Sequence, residues 1–73
     1  MSPQLPVVSG SEVVKALKAA GFDQVSQRGS HTKLRHAEGR TVIVPLHREL
    51  AAGTLRSILR QAGPTVEEVA TLL

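Results

Sequence analysis

The chain has no cysteine, no tryptophan and no tyrosine, and its one phenylalanine is Phe22. The missing cysteine excludes disulfides, thiolate zinc sites and a cysteine nucleophile. It also fits the reducing cytoplasm, which is the expected location. With so little aromatic bulk, the core must be aliphatic and shallow. No apolar run is long enough to cross a bilayer, so no membrane partner is expected. The N-terminus has no basic stretch followed by an apolar run, so no signal peptide is expected. There is no internal repeat. At 73 residues the chain makes one small domain of marginal stability, which a partner chain or self-association would raise.

What is present is basic. Nine Lys and Arg stand against six Asp and Glu, a net charge of +3. That balance favours an anionic partner, commonly nucleic acid, although many unrelated small domains are basic too.

Residues 1–8 hold two prolines and no helical period. They read as a loose extension, with Leu5, Val7 and Val8 suited to a short edge segment. A single domain is expected over 9–73. Ser9 and Glu12 fit a capping box that opens a helix carrying Val13, Val14, Leu17 and Ala20 on its apolar side. Gly21 stops it, and Phe22 can fold back onto it. A strand is expected over 23–28, a second over 31–36 and a third over 40–44, ended by Pro45. Gly29-Ser30 suits a two-residue hairpin turn. An irregular loop is expected over 46–53. A second helix is expected from Thr54 as N-cap, with Leu55, Ile58, Leu59 and Ala62 as its stripe and Gly63-Pro64 as its stop. Thr65 and Glu68 repeat the capping-box pattern ahead of a last short helix carrying Val66, Val69 and Leu72. Two amphipathic helices would cover one face of a three-stranded antiparallel sheet in an α+β fold and leave the other face open.

The most informative stretch is Arg28-Gly29-Ser30-His31-Thr32-Lys33-Leu34-Arg35-His36. Successive strand side chains point to opposite faces. His31, Lys33 and Arg35 therefore share one face, while Thr32 and Leu34 share the other. The first face sets an imidazole among cations. His36 has the parity of the buried face and reads as structural. By the same alternation Val42 and Val44 pack inward and Ile43 lies on the open face, where it would suit a protein partner or equally rest under the N-terminal extension.

In the order and spacing of its motifs, the chain resembles the HicA toxin family, small mRNA interferases of bacterial and archaeal toxin–antitoxin pairs. The likeness runs from Ser9 to Leu73. It rests on Ser9-Gly10 ahead of Glu12-Val13-Val14, on Ala20-Gly21-Phe22 and on Arg28-Gly29-Ser30-His31. It continues through Arg35-His36, Gly39-Arg40 and Val44-Pro45 with His47, and it closes on the run from Gly53 to Gly63. The resemblance implies a fold similar to a double-stranded-RNA-binding domain and metal-free cleavage of mRNA. It also implies neutralisation by a HicB-like antitoxin in a hetero-oligomer. It places the family's catalytic histidine on His31 and its turn glycine on Gly29.

Metal-free RNA cleavage needs a base for the 2′-OH proton, an acid for the 5′-oxygen and positive charge around the phosphorus. Histidine suits proton transfer near neutral pH, and cations suit the charge. His31 is the acid/base candidate. Arg28, Lys33 and Arg35 are phosphate candidates, with Gly29 and Ser30 shaping the turn. One imidazole does not act as base and acid at the same instant. His47 is the natural second group, left open between a site role and a loop anchor. Arg56 and Arg60, four apart on the second helix, fit either a phosphate-facing ridge or a solvated face. No cofactor is expected, and no metal, because cysteine and an i, i+4 histidine pair are both absent. The rivals are an RNA-binding module of the same fold that does not cut, and a partner protein whose basic surface only complements an acidic antitoxin.

Overall fold

A computed structural model describes residues 7–73. Most of the expected N-terminal extension, Leu5 included, lies outside the described residues. Val7 is exposed and forms no strand, but Val8 is only 3% exposed. The Val8 carbonyl accepts the Leu50 amide at 2.8 Å, which ties Val8 into the packed domain.

Helix α1 spans Gly10–Ala19. Both halves of its capping box form at 3.1 Å: Ser9 Oγ accepts from Glu12 N–H, and Glu12 Oε1 accepts from Ser9 N–H. Val13, Val14, Ala16 and Leu17 are buried, and Gly21, at φ +99°, turns the chain out of the helix. Phe22 follows, fully buried, and opens β1, Phe22–Arg28. Strand β2, His31–His36, and β3, Thr41–Pro45, complete an antiparallel meander in the order β1-β2-β3. Gly29 adopts φ +53° in the two-residue turn, a conformation that a side chain disfavours.

The core lies between one sheet face and the helices. Leu34, Val42 and Val44 meet Val13 and Leu17 of α1, together with Leu55 and Ile58 of α2, Ala52–Gln61. Each such side chain contributes about 1.5–3 kcal/mol when fully buried. Thr32, also buried, takes its place on that face by parity alone. A 3-10 turn over Gly63–Thr65 leads into α3, Val66–Leu72, and Val69 closes the end of the core.

Five local expectations are corrected. Strand β1 begins at Phe22, not at residue 23, and it carries a bulge at Val25, between Gln24 and Ser26. Strand β3 runs from Thr41 through Pro45, one residue later than expected. Proline is tolerated at a strand end, and the next amide, Leu46 N–H, donates to Ser30 O. Helix α2 begins at Ala52, two residues before Thr54, and its N-cap Ala51 provides no side-chain bond. Residues 51–53 are exposed, a setting in which solvent can take the place of a capping hydroxyl. Thr65 does not form a capping box with Glu68. Its hydroxyl donates to Ala62 O at 2.7 Å and closes the preceding turn. Leu72 is 51% exposed, and Leu73 packs on the core in its place. Two successive i+3 steps lag a 3.6-residue turn, so the residue four after Val69 takes the inner position.

Candidate active site

The β1–β2 hairpin sets the site. Its register pairs Arg28 with His31, Ser26 with Lys33 and Asp23 with Arg35. On the other side of β2, His31 faces Pro45, Lys33 faces Ile43 and Arg35 faces Thr41. His31, Lys33 and Arg35 are exposed while Thr32 and Leu34 are buried, the alternation that the strand parity requires. Ile43 projects from the same open face, 49% exposed, as does Val25 of the bulge, 52% exposed.

Ser26, Arg28, His31, Lys33 and Ile43 line a shallow depression of about 390 Å³. No acidic residue lines it, so its field is positive. Arg35 lies outside it, in a neighbouring depression of about 290 Å³ shared with Asp23, Val25 and His36. Arg56 and Arg60 are exposed on α2, which packs on the core face of the sheet, and neither lines these depressions. The structure thus brings together Arg28, His31 and Lys33 on the Gly29-Ser30 turn, sets Arg35 beside them, and leaves the two α2 arginines apart.

His47 reaches the site from a remote loop. Its ring centre lies 6.5 Å from that of His31, with the planes at 76°. Two backbone bonds hold this loop. Leu46 N–H donates to Ser30 O, and Gly10 N–H donates to His47 O at 2.9 Å. The second bond requires α1 to approach closely. A Cβ on Gly10 would collide with Pro45 O and would lie 2.8 Å from Leu46 Cα and 2.9 Å from Pro45 C. Gly10 is the positioning residue that the sequence reading missed. Its one signal is a glycine in a first helical turn that Ser9 already caps, where alanine would serve the helix better.

His36 belongs to a separate structural cluster. Its Nδ1 accepts from Glu38 N–H at 3.1 Å, and its ring meets Phe22 edge-on at 5.1 Å. Arg40 donates through Nη1 to Glu38 at 2.6 Å and through Nε to Ala62 O at 3.1 Å. This ties the β2–β3 loop to the end of α2. The Arg40 guanidinium holds the Glu38 carboxyl below its ordinary pKa, with His36 adding to the effect.

His31 and two flanking cations border the depression, and His47 stands beside His31 without lining it. Such a set can transfer protons and stabilise charge developing on phosphorus. Among the described residues no cluster of three His, Cys, Asp or Glu could hold a metal ion. None of their helices is long and apolar enough to cross a membrane. A family model described as the HicA toxin of bacterial toxin-antitoxin matches residues 10–63. No curated protein matches the chain.

Proposed function

Because this chain belongs to the HicA toxin family of bacterial toxin–antitoxin systems, we propose that it is a metal-independent endoribonuclease acting on mRNA. It arrests translation and growth in the cytoplasm until a HicB-like antitoxin covers it. The observation that carries the reading is His31, exposed beside Arg28 and Lys33 in a depression that no acid lines.

RNA lies across the open sheet face with one phosphate in this depression. Arg28 and Lys33 hold its non-bridging oxygens and stabilise the charge that builds as the 2′-oxygen attacks. His31 exchanges protons with the reacting oxygens. Gly29 and Ser30 keep the turn tight, so that the backbone does not obstruct the strand. Arg35, in the neighbouring depression, contacts a flanking phosphate, which makes binding weaken with salt. The products are a 2′,3′-cyclic phosphate and a 5′-hydroxyl. The antitoxin docks on the same face, where Ile43 and Val25 offer exposed apolar area.

The test is His31→Ala. It abolishes cleavage and growth arrest while leaving RNA affinity within a few-fold of the parent, and a chelator leaves the parent's cleavage unchanged. Parallel loss of binding and cleavage would favour a binding module that does not cut. Product ends carrying a 5′-phosphate would reject the route.

A further inference from the structure

We propose that His47 is the second proton-transfer group of this site, working opposite His31 across the scissile phosphate. The inference rests on the ribonuclease reading above and adds the residue that the chemistry lacks.

Transfer to the 2′-oxygen places the attacking and leaving oxygens on opposite sides of phosphorus. Each needs an imidazole one hydrogen bond away, about 2.8 Å. The His31 and His47 ring centres are 6.5 Å apart. That separation is too long for the rings to bond each other and too short to admit a phosphodiester between them, so the group lies across their exposed rims, where each ring can reach one of its reacting oxygens. The spacing is fixed by backbone. Ser30 and Leu46, the residues directly before the two histidines, share a hydrogen bond, and Gly10 N–H holds the His47 carbonyl. The chain's third histidine is committed elsewhere, its Nδ1 occupied by the Glu38 amide.

The step balances within the pair. One imidazole takes the 2′-OH proton as O2′ bonds to phosphorus. The other, protonated, gives its proton to O5′ as the P–O5′ bond breaks. The pair ends with its protons exchanged, and solvent resets it.

An oligoribonucleotide carrying sulfur in place of the scissile O5′ separates the roles. A thiolate leaves without a proton, so this substrate spares the acid and still needs the base. His47→Gln and His31→Gln are each expected to cleave ordinary RNA at least 100-fold more slowly, within the range for a lost acid or base. Both side chains are exposed, so melting temperature and RNA affinity stay near the parent's. On the sulfur substrate one of the two variants recovers to within about tenfold of the parent, and the one that recovers has lost the acid. Cleavage of ordinary RNA by His47→Gln at the parent's rate overturns the proposal, as does equal slowness of both variants on the sulfur substrate. A parent protein that does not cleave RNA overturns the ribonuclease reading itself.

Discussion

Gly10→Ala sets two opposing effects against each other, and the structure says which wins. On intrinsic propensity, alanine in a helix is favoured over glycine by about 1 kcal/mol. Here the added methyl runs first into Pro45 O and also lies 2.8 Å from Leu46 Cα, against the 3.4 Å at which such a contact becomes ordinary. The loop must retreat by more than about 0.6 Å, the difference between those two distances, because Pro45 O stands closer still. The obstructing atoms are backbone and have no rotamer to change. Helix α1 is pinned by the fully buried Val13 and Leu17, so the loop over 45–47 yields. Its retreat stretches the Gly10–His47 bond of 2.9 Å and draws His47 away from His31. Overpacking of this kind costs about 1–3 kcal/mol. Misplacement approaching 1 Å slows a reaction by up to about 100-fold. Urea denaturation should show the loss of stability. Single-turnover RNA cleavage should fall by about 10- to 100-fold with little change in RNA affinity, because Arg28 and Lys33 stand on strands that the methyl does not reach. A variant as stable as its parent, or more so, that also cleaves normally would refute the reasoning.

Arg40→Met removes the donor to Ala62 O and the partner of Glu38 but retains apolar bulk over Phe22. The expected loss is about 1 kcal/mol in urea denaturation, at the low end because Arg40 Nη2 is already buried without a partner. Cleavage should be unchanged, since Arg40 lines neither depression. Glu38 supplies a pH test. Its folded pKa is held below the ordinary 4.5, chiefly by Arg40, so its contribution is present above that value and fades as pH falls through the lowered one. Melting followed from pH 7 into that acidic window should show a shallower decline for Glu38→Gln than for the parent. The difference is small because the carboxylate is exposed to solvent.

Much of this arrangement can be read from the chain, for a physical reason. Where one face of an element is buried, periodicity records it. Thr32 and Leu34 turn inward while His31, Lys33 and Arg35 turn outward, and Val42 and Val44 do the same around Ile43. The Ser9–Glu12 box is equally legible because its partners are three residues apart. The bulge at Val25 is not, since β1 buries only Phe22 and so leaves no alternation for a register shift to interrupt. The early start of α2 was hidden because residues facing water need no signature. Arg40's bond to Ala62 spans 22 positions, and nothing local in either residue announces the other.

The approach of His47 to His31 is the least local feature of all, yet it follows from register. Thr32 opposes Val44 and Leu34 opposes Val42 on the buried face, and those pairs fix which residue of β3 stands beside His31. That residue is Pro45, which leaves His47 two positions past the end of the strand. A slip of one residue would reverse every side chain of β3, exposing Val42 and Val44 and burying Ile43. The buried pairs therefore forbid it at a cost of several aliphatic side chains, about 1.5–3 kcal/mol each. The loop's backbone ties then have only to turn the chain back over the hairpin. Replacing Val44 with a polar residue of similar size should accordingly weaken more than stability. By loosening the register that aims the 45–47 loop, Val44→Thr should reduce cleavage beyond the drop in folded fraction measured on the same sample. A cleavage rate that tracks the folded fraction alone would break the link between core pairing and the two-histidine geometry.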